Sequence, residues 1–242
     1  MPGSRKGQRL SSEGLSRVQS GWADELQVPI EALTVRGTHL FHRDGSTTVV
    51  VVKLNESVVI VAPAVAAAEL GRVQDVETSR LLDMSWLEQQ LRPLQARPIG
   101  TADLSYCEVL PVKREAVPIV PATTSLVDLL QRGLSAEEWL ESGLADMPSR
   151  WAALTASGEV AAIAGYESWS RSIAQLGVAS VSSVRGRGFA AAAAAEAMTA
   201  ALGDGLVPQW RCRVGNRGSE RLATSLGFTP VGRQTAVALT IP

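Results

Sequence analysis

Residues 189–203 carry six consecutive alanines, Ala190 to Ala195, and a further Ala197, Ala200 and Ala201 before Gly203. Alanine is the best helix former, and its small side chain lets a helix lie close on a sheet. A helix is therefore expected over 188–202, stopped by Gly203-Asp204-Gly205. Immediately before it stands Val184-Arg185-Gly186-Arg187-Gly188, and before that the apolar run 173–180 with a short Ser-rich connection. The stretch reads as strand, glycine loop, helix. Gly186 and Gly188 free the backbone to curl. The first N–H groups of the helix have no internal partners, which makes its start a natural place for an anion, above all a phosphate.

Three phosphate-binding patterns can be set against this loop. A P-loop requires Lys-Ser/Thr after its last glycine, and Phe189-Ala190 stands there instead. The loose dinucleotide pattern Gly186-x-Gly188-x-x-Ala191 is present, but it also wants a ribose-binding acid about 20 residues on, at a strand end. The next apolar run, 207–214, ends in Gly215-Asn216, and Asp204 precedes it in a turn. The third pattern is Arg185-x-x-Gly188-x-Ala190, followed by Asn216-x-x-Ser219-x-x-Leu222-x-x-x-Leu226-Gly227-Phe228. These two ordered segments resemble the acyl-CoA pyrophosphate loop and the later Asn-to-Gly-Phe helix of the GNAT N-acetyltransferase superfamily.

That resemblance implies an α/β (α+β) GNAT fold for residues 113–242: a mixed central sheet splayed open at the acyl-CoA cleft. Its expected elements follow in order: strand 117–120, helices 125–132 and 135–142 with serine caps, and hairpin 150–156/159–167. Strand 173–181, the alanine helix, strand 207–214, helix 219–226 and strand 233–241 complete it. The implied donor is acetyl-CoA. Its contacts would come from the backbone of Val178, Ala179 and Ser180, from Arg185, Gly186, Arg187, Gly188, Phe189 and Ala190, and from Asn216 and Ser219. Many relatives carry a leaving-group tyrosine seven residues after the Asn; Ala223 stands there. Some carry a Glu at the start of the strand before the loop, and residues 172–175 hold none. Glu167, at the end of the preceding strand, and Glu138 or Glu141, on a short helix, are the candidate bases, with Glu167 and Glu141 ranked first; Trp139, Trp169 and Trp210 are the candidate acceptor wall. Two functions are implied: N-acetyl transfer to a primary amine of a small molecule or peptide, or a catalytically inactive module that binds acyl-CoA.

The chain's 242 residues exceed one such domain, so a further α/β domain is expected over 21–112, behind a flexible arm over 1–20. Strands are expected at 33–41, 47–54 and 58–62, helices at 64–71 and 79–91, and a strand at 104–110. No catalytic spacing stands in this half, which the resemblance leaves unassigned; a degenerate copy of the same fold is one option. His39 and His42, three apart in a strand, point to opposite faces, so no metal site is expected. The net charge of −1 and pI near 6.2 give no basic footprint for nucleic acid. The apolar stretch 49–61 is broken by Lys53, Asn55 and Glu56, which rules it out as a membrane span. Two distant cysteines and a polar start point to a reduced, cytoplasmic protein. The expected partner is the amine, with a homodimer as an open option.

Overall fold

The computed structural model describes residues 9–111 and 117–240. In chain order the helices and strands are α1 (Ser12–Leu26), α2 (Glu31–Thr34), β1 (Gly37–His42), β2 (Thr48–Leu54), β3 (Ser57–Ala62), α3 (Ala64–Leu70), α4 (Thr78–Leu81), α5 (Met84–Gln90) and β4 (Arg97–Tyr106). There follow β5 (Ile119–Pro121), α6 (Thr124–Arg132), α7 (Ala136–Ser142), β6 (Ser149–Leu154), β7 (Val160–Trp169), β8 (Ile173–Ser180), α8 (Phe189–Gly203), β9 (Val207–Arg213), α9 (Arg217–Ser225) and β10 (Thr229–Ala238). The chain divides into two compact units. One comprises residues 1–18, 106–210 and 217–229, the other residues 19–105, 211–216 and 230–242.

The second unit orders its strands β1-β3-β2-β10-β4. β2 and β3 form a hairpin whose register, Leu54 opposite Ser57, leaves Asn55-Glu56 as a two-residue turn, with Asn55 at φ 50°. β1 runs parallel to β3, and β10 antiparallel to β2. Val49, Val51, Val58, Ile60, Leu81, Leu87 and Val237 form the core on one face of the strands. The single helix expected over 79–91 is two, because the Asp83 side chain accepts from Trp86 N at 2.8 Å and starts a new helix there. The strand expected at 104–110 instead spans Arg97–Tyr106. Pro98 stands second in it, where a missing N–H is tolerated. The strand expected from residue 33 starts only at Gly37, because residues 31–34 turn as α2.

Residues 1–8 lie outside the described residues, but the arm expected over 1–20 is helical from Ser12. Its buried positions Val18, Trp22, Ala23 and Leu26 recur at helical spacing, a stripe overlooked among the surrounding serines and glycines. The expected boundary at 112–113 lies outside the described residues, as does the end of the last expected strand.

The first unit orders its strands β9-β8-β7-β6-β5. β5 to β8 are antiparallel neighbours, whereas β8 and β9 are parallel. Helices α6 and α7 pack on one face around Val127, Leu130, Leu144, Met147 and Ile163. The cap of α6 is Thr123, whose hydroxyl accepts from Leu126 N at 3.4 Å, rather than the expected serine. Ser135 caps α7 as expected, within a full capping box. Helix α8 packs on β6, β7 and β8. Its Ala191 to Ala195, Ala197, Met198 and Ala201 are all buried, so the helix is enclosed around most of its circumference. At its far end the Tyr166 hydroxyl donates to Asp204 Oδ2 at 2.5 Å, fixing α8 to β7. Burial, and after it the Asp204 carboxylate, push the Tyr166 hydroxyl up to about 12.

Candidate active site

The glycine loop has the form its sequence dictates. Ser182–Val184 makes a single 3-10 turn, pinned by the buried Val184. Gly186 at φ 76° and Gly188 at φ 91° then take left-handed conformations. Gly188 is the N-cap of α8 and brings no side chain to it. The first helical bond runs from Ala192 N to Gly188 O at 3.0 Å, so the N–H groups of Phe189, Ala190 and Ala191 lack helical acceptors. The helix dipole adds positive potential at the same point. The Arg187 guanidinium lies 5.5 Å from the Phe189 ring centre, on the rim of the helix start. These donors suit an anion, and the diphosphate of an acyl-CoA fits their chemistry. Arg185 is turned elsewhere: its Nη2 donates to Glu138 Oε1 at 2.6 Å and to Ser180 O at 3.2 Å.

β8 and β9 pair only through Ile173–Val207, Ala174–Pro208 and Gln175–Gln209. Ser172 O accepts from Val207 N at 2.9 Å, so by strand alternation Leu176, Val178 and Ser180 direct their backbone groups to that same side. Past Gln175 no β9 residue registers with β8, and these three residues form an open edge. Two of the three carbonyls are covered by side chains. Gln175 Nε2 donates to Leu176 O at 3.0 Å, and Arg185 to Ser180 O. The N–H and C=O of Val178 lie between them. Ala179, opposite Ile163, directs its backbone to β7 instead.

At the last β8–β9 rung the sheet holds a buried polar chain. The Tyr106 hydroxyl donates to Gln209 Oε1, and Gln209 Nε2 donates to Gln175 Oε1 at 2.5 Å. The relative exposures are 0% for Tyr106, 0% for Gln209 and 7% for Gln175. A buried amide is stable only when its donors and acceptors are matched, as they are here. The sequence signal was a lone glutamine inside each of two apolar runs, and it was missed. Both glutamines lie on the face that carries α7. Gly177, two residues on, shows why: a Cβ there would sit 2.4 Å from Ser142 O and 2.6 Å from Met147 Cε. The last turn of α7 thus rests directly on β8.

Glu167 is the cross-strand partner of Gln175 and shares its face. Its Oε1 accepts from Trp169 Nε1 at 2.9 Å, and both residues are half-buried. The structure therefore gathers Glu167, Trp169, Gln175 and Gln209 on one face at the place where the strands part. Glu141 is exposed on α7. Trp139 is half-buried and packs on the α6–α7 core. Trp210 departs from the expected acceptor wall: it is 4% exposed, packs on Phe228, and its Nε1 donates to Ser219 Oγ at 2.9 Å. An indole needs a partner for its one N–H when buried, and Ser219 serves as that partner. Asn216 is exposed in the turn after β9, its N–H bonded to Arg213 O, in the segment that groups with the second unit. Ala223, at the position of the expected acid, is buried. Among the described residues no three His, Cys, Asp or Glu side chains cluster as for a metal, and no helix is long and apolar enough to cross a membrane.

Residues 152–237 match the family described as GNAT acetyltransferase. Among solved structures, the chain resembles a tandem GNAT protein from the clavulanic acid biosynthesis pathway (12% identity, TM-score 0.48, covering 96% of each chain). It also resembles a GCN5-related N-acetyltransferase-like protein from Streptococcus suis (17% identity, TM-score 0.46, covering 94% of this chain and 99% of that one). A third is an acetyltransferase of the GNAT family from Colwellia psychrerythraea, at 15% identity and TM-score 0.47, where 60% of this chain spans 57% of the other. No curated protein matches the chain in sequence.

Proposed function

We propose that this protein, whose residues 152–237 match the family described as GNAT acetyltransferase, transfers the acetyl group of acetyl-CoA to a primary amine of a small molecule or peptide. The observation that carries the reading is the start of α8: a glycine cap at φ 91°, helix N–H groups without acceptors and Arg187 at the rim. These groups hold the donor's phosphates. The open edge of β8 at Val178 supplies one N–H and one C=O to an amide-bearing arm laid beside it. The bound thioester supplies the electrophile. Glu167, on the α7 face beside Gln175, accepts the amine's proton directly or through a water; Glu141 is the second choice. Trp169 offers flat contact area beside Glu167 for the acceptor, and Trp139 stands on the helix above the same face. Much of the rate comes from holding amine and thioester in register, since amide formation from a bound thioester gains strongly from positioning.

The buried Ala223, which brings no proton to the leaving thiolate, supports a second reading as a module that binds acyl-CoA without turnover. One experiment separates the two. Acetyl-CoA binding is measured by calorimetry, and free CoA is followed spectroscopically with a panel of amines. Binding with amine-dependent CoA release is the expected result. Binding without release for any amine leaves the second reading, and absence of binding refutes both. Glu167→Gln keeps the shape and removes the basicity; turnover is expected to fall by about 10²–10⁴ with donor affinity little changed. If Glu141→Gln is the crippling change, the base lies on α7.

A further inference from the structure

Arg185 stands at the start of the phosphate loop, yet its guanidinium reaches away from the helix start. Nε donates to Ser180 O at 3.4 Å and Nη2 to the same carbonyl at 3.2 Å, while Nη2 also meets Glu138 Oε1 at 2.6 Å. The Nε/Nη2 edge, one of those a guanidinium offers to a phosphate for two parallel bonds, is thereby engaged. Glu138 is fixed independently. Its Oε2 accepts from Ser135 N at 2.9 Å and its own N–H donates to Ser135 Oγ at 3.1 Å, so the carboxylate belongs to the capping box of α7. The carbonyl of Ser180 belongs to the open edge of β8.

We propose that Arg185 is a latch, closed between Glu138 on α7 and the Ser180 carbonyl, which the diphosphate of the donor opens by taking the guanidinium for itself. The inference rests on the reading of this loop as the acyl-CoA site. Its logic is competition for one cation. A single carboxylate holds the guanidinium in the closed form; a diphosphate brings more charge, and the start of α8 adds its dipole in favour of that anion. Opening does two things. It frees the Ser180 carbonyl, which extends the open edge beyond Val178, and it releases the first turn of α7 from β8. The last turn of α7 stays seated on Gly177, so the release is confined to the end that carries Ser135 and Glu138. Donor binding thus loosens the helix that bears Trp139 and Glu141, and the acceptor meets a different α7 once the donor is in place. The closed latch acts against the donor, so weakening it strengthens donor binding.

Glu138→Gln tests this on the full chain. Glutamine retains an oxygen for the Ser135 N–H, and capping boxes accept it; only the charge is lost. Calorimetry at low salt is expected to show acetyl-CoA binding about two- to fivefold tighter, the scale of an exposed ion pair. The gain should vanish in an Arg185→Ala background and shrink as salt rises. Glu138→Ala, which also removes the cap, should bind as tightly as Glu138→Gln while melting at a lower temperature. Equal or weaker donor binding in Glu138→Gln overturns the latch and leaves the donor site standing, because Glu138 would then be orienting Arg185 rather than competing for it. No binding of acetyl-CoA to the wild-type chain overturns the donor site and the latch together.

Discussion

Gly177→Ala is the sharpest test of how β8 and α7 fit together. Gly177 has an ordinary extended conformation, so the whole effect is steric. The added Cβ would stand 2.4 Å from Ser142 O, 2.6 Å from Met147 Cε and 3.0 Å from Met147 Sδ. The thioether end of Met147 can swing aside. The Ser142 carbonyl cannot: it belongs to the last residue of α7, and its side chain is tied to Trp139 O and Leu144 N. Reaching an ordinary carbon–oxygen separation requires α7 to lift by about 1 Å. Overpacking of this kind costs about 1–3 kcal/mol. Against it stands a gain of about 0.5–1 kcal/mol from replacing a flexible glycine in a strand. The net expectation is a loss of about 0–2.5 kcal/mol, against a gain in the control below. Gly203→Ala is the matched control, since its Cβ would meet nothing within 4 Å in the last position of α8. That variant should gain about 0.5–1 kcal/mol. Urea unfolding of both, followed by far-ultraviolet circular dichroism, gives the comparison. A Gly177→Ala protein as stable as Gly203→Ala would refute the close seating of α7 on β8.

Other outcomes follow from the same geometry. Arg187→Ala should weaken acetyl-CoA binding about ten- to a hundredfold by calorimetry, as expected for loss of a charge-assisted bond to phosphate, with the melting temperature little changed. The Tyr166 hydroxyl, raised to about 12 against an ordinary value near 10, contributes stability fully present below pH 10 and lost as pH rises through 12. The wild-type stability should therefore fall between pH 10 and 12 by more than that of Tyr166→Phe, which lacks the titrating hydroxyl, as denaturant midpoints at stepped pH would show. Glu138, held down to about 2 chiefly by its bond to Arg185, keeps its charge well below the ordinary carboxylate range. The ion pair should persist as pH falls from 7 to 4, and proton titration of Glu138 by nuclear magnetic resonance would detect a normal midpoint if the pair were absent.

The parts legible in the sequence were those set by backbone chemistry. Gly186, Gly188 and the alanines after them specify a turn and a helix whatever surrounds them, and Ser135 as an N-cap announces the start of α7. The hairpin through Asn55-Glu56 was equally local. The missed features depend on which side chains meet across the fold. Gln175 and Gln209 lie 34 residues apart in sequence and become partners only when β8 and β9 stand side by side. Arg185 and Glu138 are separated by 47 residues, and each was given a role of its own: phosphate ligand for one, candidate base for the other. Trp210 was read for its type, whereas its burial follows from strand alternation, which turns it away from Gln209 and toward Ser219 and Phe228.

The alanines of α8 have a consequence for how the protein can change over time. An alanine has no rotamers to lose, so along its alanines ordering this helix costs only the backbone, and those positions have nothing that can repack to absorb an error. Ala193, Ala194, Ala197 and Ala201 are each fully buried. A step down to glycine costs about 1 kcal/mol in helix propensity, and a step up to a larger side chain costs about 1–3 kcal/mol in overpacking. Each position is therefore bounded on both sides by worse neighbours. Drift in sequence has little room there, and because a displaced helix also displaces its own first turn, a larger side chain at Ala201 is felt at Gly188. Along its alanines the helix behaves as a rigid pointer, with Met198 the adjustable exception among its buried side chains.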